Sequence, residues 1–176
     1  MPLYFAFDEL MDPSAMASLA SQARALGQGR LPRHRLIVLG AARVTLKRDP
    51  QRQVEGTLYD VPIAAMALLD RRFVGAAKIV QPIIGKEGPR RAVLHLLPEA
   101  QSSASSADRA KLASAARAAL LSPSYIEEIE TGSVARRKPG TPLFGAPSST
   151  LKRVICIVHG DRKAEINEAC HTIALF

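Results

Sequence analysis

The sequence predicts a single α+β domain with a C-terminal extension, and three observations predict it. Short apolar runs rich in aromatic and β-branched residues recur along the chain as strands. Segments with apolar residues at helical spacing interrupt them, two of them opened by Pro13 and Pro62. With 176 residues the chain is long enough for one sizeable core and too short to suggest two.

The first strand is Leu3-Tyr4-Phe5-Ala6-Phe7, which gives way to the polar Asp8 and Glu9. Asp12 and Pro13 supply an N-cap and a first helical residue, and Met16, Leu19, Ala20, Ala23 and Leu26 share a face of a helix reaching Gly27. A proline-marked loop from Gly29 leads into a strand ending near Gly40, and Ala42 to Lys47 reads as the next strand. Arg48-Asp49-Pro50-Gln51-Arg52 has the composition of a polar turn before the strand Val54 to Val61. Pro62 opens a helix running to about Phe73. The strands Ala77 to Ile84 and Arg91 to Leu97 flank Gly85-Lys86-Glu87-Gly88-Pro89, so they are expected to pair antiparallel. Helices follow from Asp108 to Leu121 and, after Ser122-Pro123-Ser124, from Tyr125 to about Ala135. Residues 139–150 read as a linker, and residues 151–176 as a strand and an amphipathic helix packing on the same domain.

Composition narrows the function classes. A hydrophobic fraction of 47% and a charged fraction of 23% are those of a globular chain, and no apolar run approaches a membrane span. The expectation is a cytoplasmic protein without membrane contact. The net charge of +8 raises nucleic acid as a partner. Against it, the basic residues fall in small scattered clusters, Trp is absent and aromatic residues total only 5%, so stacking platforms are missing. Cys156 and His159 on a strand, and the adjacent Cys170 and His171 on a helix, diverge from one another, so they are not expected to hold a metal.

Four segments carry a resemblance. Tyr4-Phe5-Ala6-Phe7 before Met11-Asp12-Pro13, the loop Arg30 to Leu36, the strand Val54-Glu55-Gly56-Thr57-Leu58-Tyr59-Asp60-Val61 and the helix end Leu68-Leu69-Asp70-Arg71-Arg72 resemble, in order and spacing, the gamma-glutamylcyclotransferase-like family. The likeness extends over roughly residues 3 to 138, with Ser122-Pro123-Ser124-Tyr125 resembling that family's C-terminal helix start. It implies a small mixed, partly closed β-barrel with flanking helices, over a domain of residues 1–138, and a reaction needing no metal or organic cofactor. The family's enzymes carry a Tyr-Gly-Ser-Asn loop after the first strand and a glutamate just after the Leu-Asp helix end. That glutamate moves a proton from the attacking amine to the leaving nitrogen.

This chain departs at both places. Phe7-Asp8-Glu9-Leu10 stands where the glycine-containing loop is implied, and Phe73 stands where the glutamate is implied. Phenylalanine cannot accept a proton, and Asp8 lacks the backbone freedom of glycine. The expectation is a protein that has lost cyclotransferase activity and serves as a small-molecule binding or interaction module. Its binding surface would be Phe7, Asp8, Glu9, Leu10 and Phe73. An alternative is an enzyme of the same fold in which Glu9, Asp8 or Glu55 replaces the missing base on another amide or ureido substrate. A second alternative is a basic module that binds polyanions or self-associates as a homo-oligomer. Glu9 is read as a solvated loop carboxylate and Glu55 as pointing outward. Arg33, Arg35 and Arg43 are weighed as an anion site at the barrel mouth and read as surface arginines.

Overall fold

The computed structural model describes residues 2–41, 43–99 and 104–132. Five strands, β1 (Leu3–Ala6), β2 (Arg24–Val38), β3 (Val44–Asp60), β4 (Ala77–Gly85) and β5 (Gly88–Leu96), form a closed barrel in the order β1-β3-β2-β4-β5. Four helices flank it: α1 (Pro13–Leu19), α2 (Ile63–Arg72), α3 (Ser106–Ala118) and α4 (Pro123–Thr131). A short 3₁₀ helix, Glu9–Met11, links β1 to α1. The linker and extension expected over 139–150 and 151–176, with their cysteines and histidines, lie outside the described residues.

The apolar run of β1 is explained by burial on both of its faces. Phe5 and Phe7 join one cluster with Leu58, Ile83 and Leu94, completed by Leu112, Ala113 and Ala116 of α3 and Tyr125 and Ile129 of α4. Tyr4 and Ala6 turn the other way, against Met16 of α1, Tyr59 of β3, and Met66 and Leu69 of α2. A strand with two apolar neighbours cannot show an alternating polar face. The barrel closes through two short seams, Tyr4 opposite Val93 in parallel and Gly29 and Arg30 opposite Gly85 and Ile84. Gly56 permits the β1–β3 contact: a Cβ there would stand 2.1 Å from the Ala6 carbonyl oxygen and 2.9 Å from the Phe5 ring.

Two expected elements are corrected. The first helix stops at Leu19, and the residues after Ala23 belong to β2, with Arg24 opposite Asp60 and Ala25 opposite Tyr59. Ala23 and Leu26 fitted a helical face, but pairing with β3 outweighs that periodicity, and Leu26 is exposed. Gly27 sits at a register shift with φ of +119°, which suits its lack of a side chain. The expected turn at 48–52 is instead a bulge inside β3. Pro32 faces Gln53 and His34 faces Arg48, so residues 49–52 loop out opposite Arg33 alone. The Asp49 carboxylate accepts from the Gln51 N–H at 3.1 Å, stabilising that excursion. The antiparallel β4–β5 hairpin is present as expected. α3 starts earlier than expected, capped by Ser105, whose hydroxyl accepts from the Asp108 N–H while Asp108 accepts from the Ser105 N–H. α4 ends at Thr131 and is capped by Gly132, in the left-handed region with φ of +62°.

Candidate functional site

A cavity of about 320 Å³ opens where the end of β1, the end of α2, the β2–β3 connection and β5 come together. Tyr4, Phe7 and Phe73 give it aromatic walls, Asp8 and Glu9 carboxyl groups, Arg43 and Arg72 guanidinium groups, and His95 an imidazole.

Its floor depends on how the chain leaves β1. Asp8 caps the 3₁₀ helix, its carboxyl accepting from the Leu10 N–H at 3.1 Å. The carbonyls of Leu10 and Met11 accept from the Tyr59 hydroxyl at 3.0 and 3.1 Å, and Met11 also accepts from the Thr57 hydroxyl at 2.9 Å. Two side chains of β3 therefore fix the loop. Asp8 is only 8% exposed, and burial pushes its carboxyl up to about 6, opposed by the Leu10 N–H and the Arg72 guanidinium. Such a group changes charge close to neutral pH.

Glu9 is not the freely solvated carboxylate expected from the sequence. It bridges elements, pairing with Arg72 of α2 and, at 3.3 Å, with Lys111 of α3. Leu10, expected at the binding surface, packs instead with Tyr4, Met16 and Tyr59 and does not line the cavity. Glu55 also differs from expectation. It is 6% exposed, turned inward but away from this cavity, accepting from the Ser122 N–H at 3.0 Å and standing 3.8 Å from Arg30 Nε. The physical reason is the docking of α4, whose N-terminal N–H group needs an acceptor and finds the Glu55 carboxylate. The three arginines weighed as one anion site are separated: Arg43 lines this cavity, Arg35 lines another, and Arg33 sits exposed at the β-bulge.

His95 is the residue that sequence reasoning missed. It is buried on β5, its ring stacked on Phe73 with centroids 4.9 Å apart and tilted against Tyr4 at 5.7 Å. His95 Nε2 lies 2.9 Å from Asp70 Oδ1, and Lys78 donates to the other Asp70 oxygen at 2.9 Å. The hydrogen bond from Lys78, joined by that from His95, holds the Asp70 carboxyl below its usual range. An ionised carboxylate only accepts, so Nε2 carries the proton of that contact. His95 Nδ1 is buried with no hydrogen-bond partner among the described residues. One signal pointed to it: His95 is the sole titratable residue in the apolar run Ala92 to Leu97. Among the described residues, no group of three or more His, Cys, Asp or Glu side chains could hold a metal ion, and no helix is long and apolar enough to cross a membrane.

Fold and site define a class. The closed five-stranded barrel with four flanking helices is the gamma-glutamylcyclotransferase-like fold. No family model matches the sequence, and no curated protein matches it. Solved structures do. The chain is similar to a protein described as gamma-glutamyl cyclotransferase, at 17% identity and a TM-score of 0.65, over 80% of this chain and 92% of that one. It is similar to an uncharacterized protein from Homo sapiens at 17% identity and a TM-score of 0.64, over 73% of this chain and 85% of the other. YkqA from Bacillus subtilis matches at 16% identity and a TM-score of 0.61, over 74% of this chain and 53% of its own length. At these identities the likeness is one of fold.

Proposed function

We propose that this chain binds a small organic molecule in the cavity between Phe7, Phe73 and His95, and that it does not carry out gamma-glutamyl cyclotransfer. The observation that carries this reading is Phe73. At the position where the resemblance places the family's proton-transferring glutamate, an aromatic ring lies stacked on His95 and lines the cavity. Without a carboxylate there, the position from which the family's enzymes take the amine proton has no acceptor. The loop after β1 supports the same reading, because Asp8 replaces its glycine-containing turn on the cavity wall and Glu9 holds Arg72 in an ion pair instead of leaving it free for a substrate carboxylate. Three aromatic side chains and few free charges suit a compact ligand of low negative charge.

The test is two-dimensional NMR of the full chain against a set of small planar heterocycles and amides. Saturable shifts at Phe7, Phe73 and His95, with affinity falling about tenfold in Phe73→Ala, support the proposal. A set without any binder at this cavity contradicts it.

One observation favours a second reading, an enzyme acting on a different amide or ureido substrate. Asp8 lines the cavity, is shielded from water and titrates near neutrality, which are the properties of a general acid or base. Turnover that disappears in Asp8→Asn and persists in Glu9→Gln selects this reading.

A further inference from the structure

A second cleft, of about 280 Å³, lies between the end of β2, the bulged part of β3 and the α3–α4 pair, and shares no lining residue with the first. Its polar chemistry is concentrated in three arginines. Arg52 is nine-tenths buried, and its Nη1 donates to Glu128 Oε1 at 2.7 Å. The Nη2 of the same guanidinium is buried with no hydrogen-bond partner among the described residues. Among the described residues Arg109 donates to the Ile129 carbonyl, at 3.5 Å, and Arg35 makes no ion pair. The Tyr125 hydroxyl, also buried, lies by the Glu55 backbone N–H and has no acceptor for its own proton among the described residues. Burial, with Glu55 and Glu128 nearby, pushes the Tyr125 phenol up, so it keeps its proton and is able to donate.

These donors carry an energetic cost. A guanidinium N–H or phenol O–H removed from water and left unpaired keeps its desolvation penalty, which a suitable acceptor returns. Among the lining residues three arginines face one carboxylate, that of Glu128, and Glu55 behind Tyr125 is paired with Arg30, so the acceptor the cleft suits is an anion. Leu36, Ile37, Val38 and Ile129 give it an apolar wall, which suits an apolar body rather than a bare ion.

We infer that this cleft is a binding site for a small oxyanion, a phosphate or carboxylate group carried on a compact apolar body. The oxyanion takes the free Arg52 nitrogen together with Arg35 and the Tyr125 hydroxyl, and the apolar portion lies along Ile37 and Ile129. Arg109 supports the site from α3 while holding the end of α4. The site is independent of the first cavity and of the function proposed for it.

The experiment titrates phenyl phosphate, benzoate and inorganic phosphate into the full chain, read by calorimetry and two-dimensional NMR. Saturable binding of phenyl phosphate or benzoate, tighter than inorganic phosphate, is expected, and the preferred probe tells phosphate from carboxylate. Arg35→Gln, and Arg52→Lys, which keeps a charge for Glu128 but removes the second nitrogen, should each weaken binding about tenfold. Tyr125→Phe should weaken it by a smaller factor, and Arg43→Gln, in the first cavity, should leave it unchanged. Should Arg52→Lys fail to fold, Arg35→Gln and Tyr125→Phe decide the matter. The inference is overturned if neither organic anion binds, if binding survives Arg35→Gln and Tyr125→Phe unaltered, or if Arg43→Gln abolishes it.

Discussion

Replacing Asp8 by asparagine isolates the cost of burying a carboxyl on the cavity wall. Asparagine keeps an oxygen to accept the Leu10 N–H, so the cap of the 3₁₀ helix survives and only the titration is removed. Asp8 has its carboxyl raised from 3.8 to about 6, and each unit is worth about 1.4 kcal/mol, so ionisation costs the folded state about 3 kcal/mol. The sign follows from which state holds the proton. Below 3.8 both folded and unfolded chains are protonated and Asp8 costs nothing; as pH rises from 3.8 through 6 the unfolded chain ionises first, and stability is lost. Above that window the loss is complete. A domain of this size has a total stability of roughly 5–15 kcal/mol, so the effect is readily measured. Urea unfolding followed by circular dichroism should show Asp8→Asn close to wild type in stability near the unfolded carboxyl value and more stable at pH 8, with the slope m unchanged. An equal difference at both pH values, or no gain at pH 8, would refute the reasoning.

Three further substitutions test the scaffold behind the cavity. Gly56→Ala places a methyl group against the Ala6 carbonyl and the Phe5 ring, so urea unfolding should show a loss of about 3 kcal/mol as β1 and β3 are forced apart. Glu55→Ala leaves the Ser122 N–H without its acceptor and should cost about 2 kcal/mol, with faster amide exchange at the start of α4, whereas Glu55→Gln should recover most of the loss. Tyr59→Phe removes the donor to the Leu10 and Met11 carbonyls and should cost about 1 kcal/mol, with the amide exchange of residues 8–11 accelerated more than that of β4.

Legibility of the fold from sequence divided along the line between local and long-range causes. Proline at the start of a helix and the glycine-rich β4–β5 turn act within a few residues, and the helix and hairpin they mark are present, though the hairpin turn is tighter than expected, with β5 beginning at Gly88 rather than Arg91. The start of β2 was hidden because Ala23 and Leu26 satisfy a helical face equally well, and only pairing of Arg24 and Ala25 with β3 decides between them. The polar run Asp49 to Arg52 was correctly a break in regular pairing, but local chemistry does not say whether such a break joins two strands or bulges out of one.

The candidate site followed the same division. Phe7, Asp8, Glu9 and Phe73 were reached through the resemblance in segment order, and the fold gathers all four at one cavity. Leu10 was assigned to the wrong surface because the 3₁₀ turn after Asp8 rotates it into the core. Glu55 was read as outward because strand phase alone omits α4, whose N-terminus arrives from 67 residues away to meet the carboxylate. His95 was hidden because its role rests on Phe73 and Asp70, which are distant in sequence until β5 lies beside the end of α2.

The central claim concerns Phe73, and it is tested most directly by incubating the purified full chain with gamma-glutamyl amino acids and gamma-glutamylamines and measuring 5-oxoproline. The account predicts no release above the rate without protein. Robust 5-oxoproline formation by the wild-type chain would contradict it, because it would mean that a group other than a carboxylate at position 73 carries the proton.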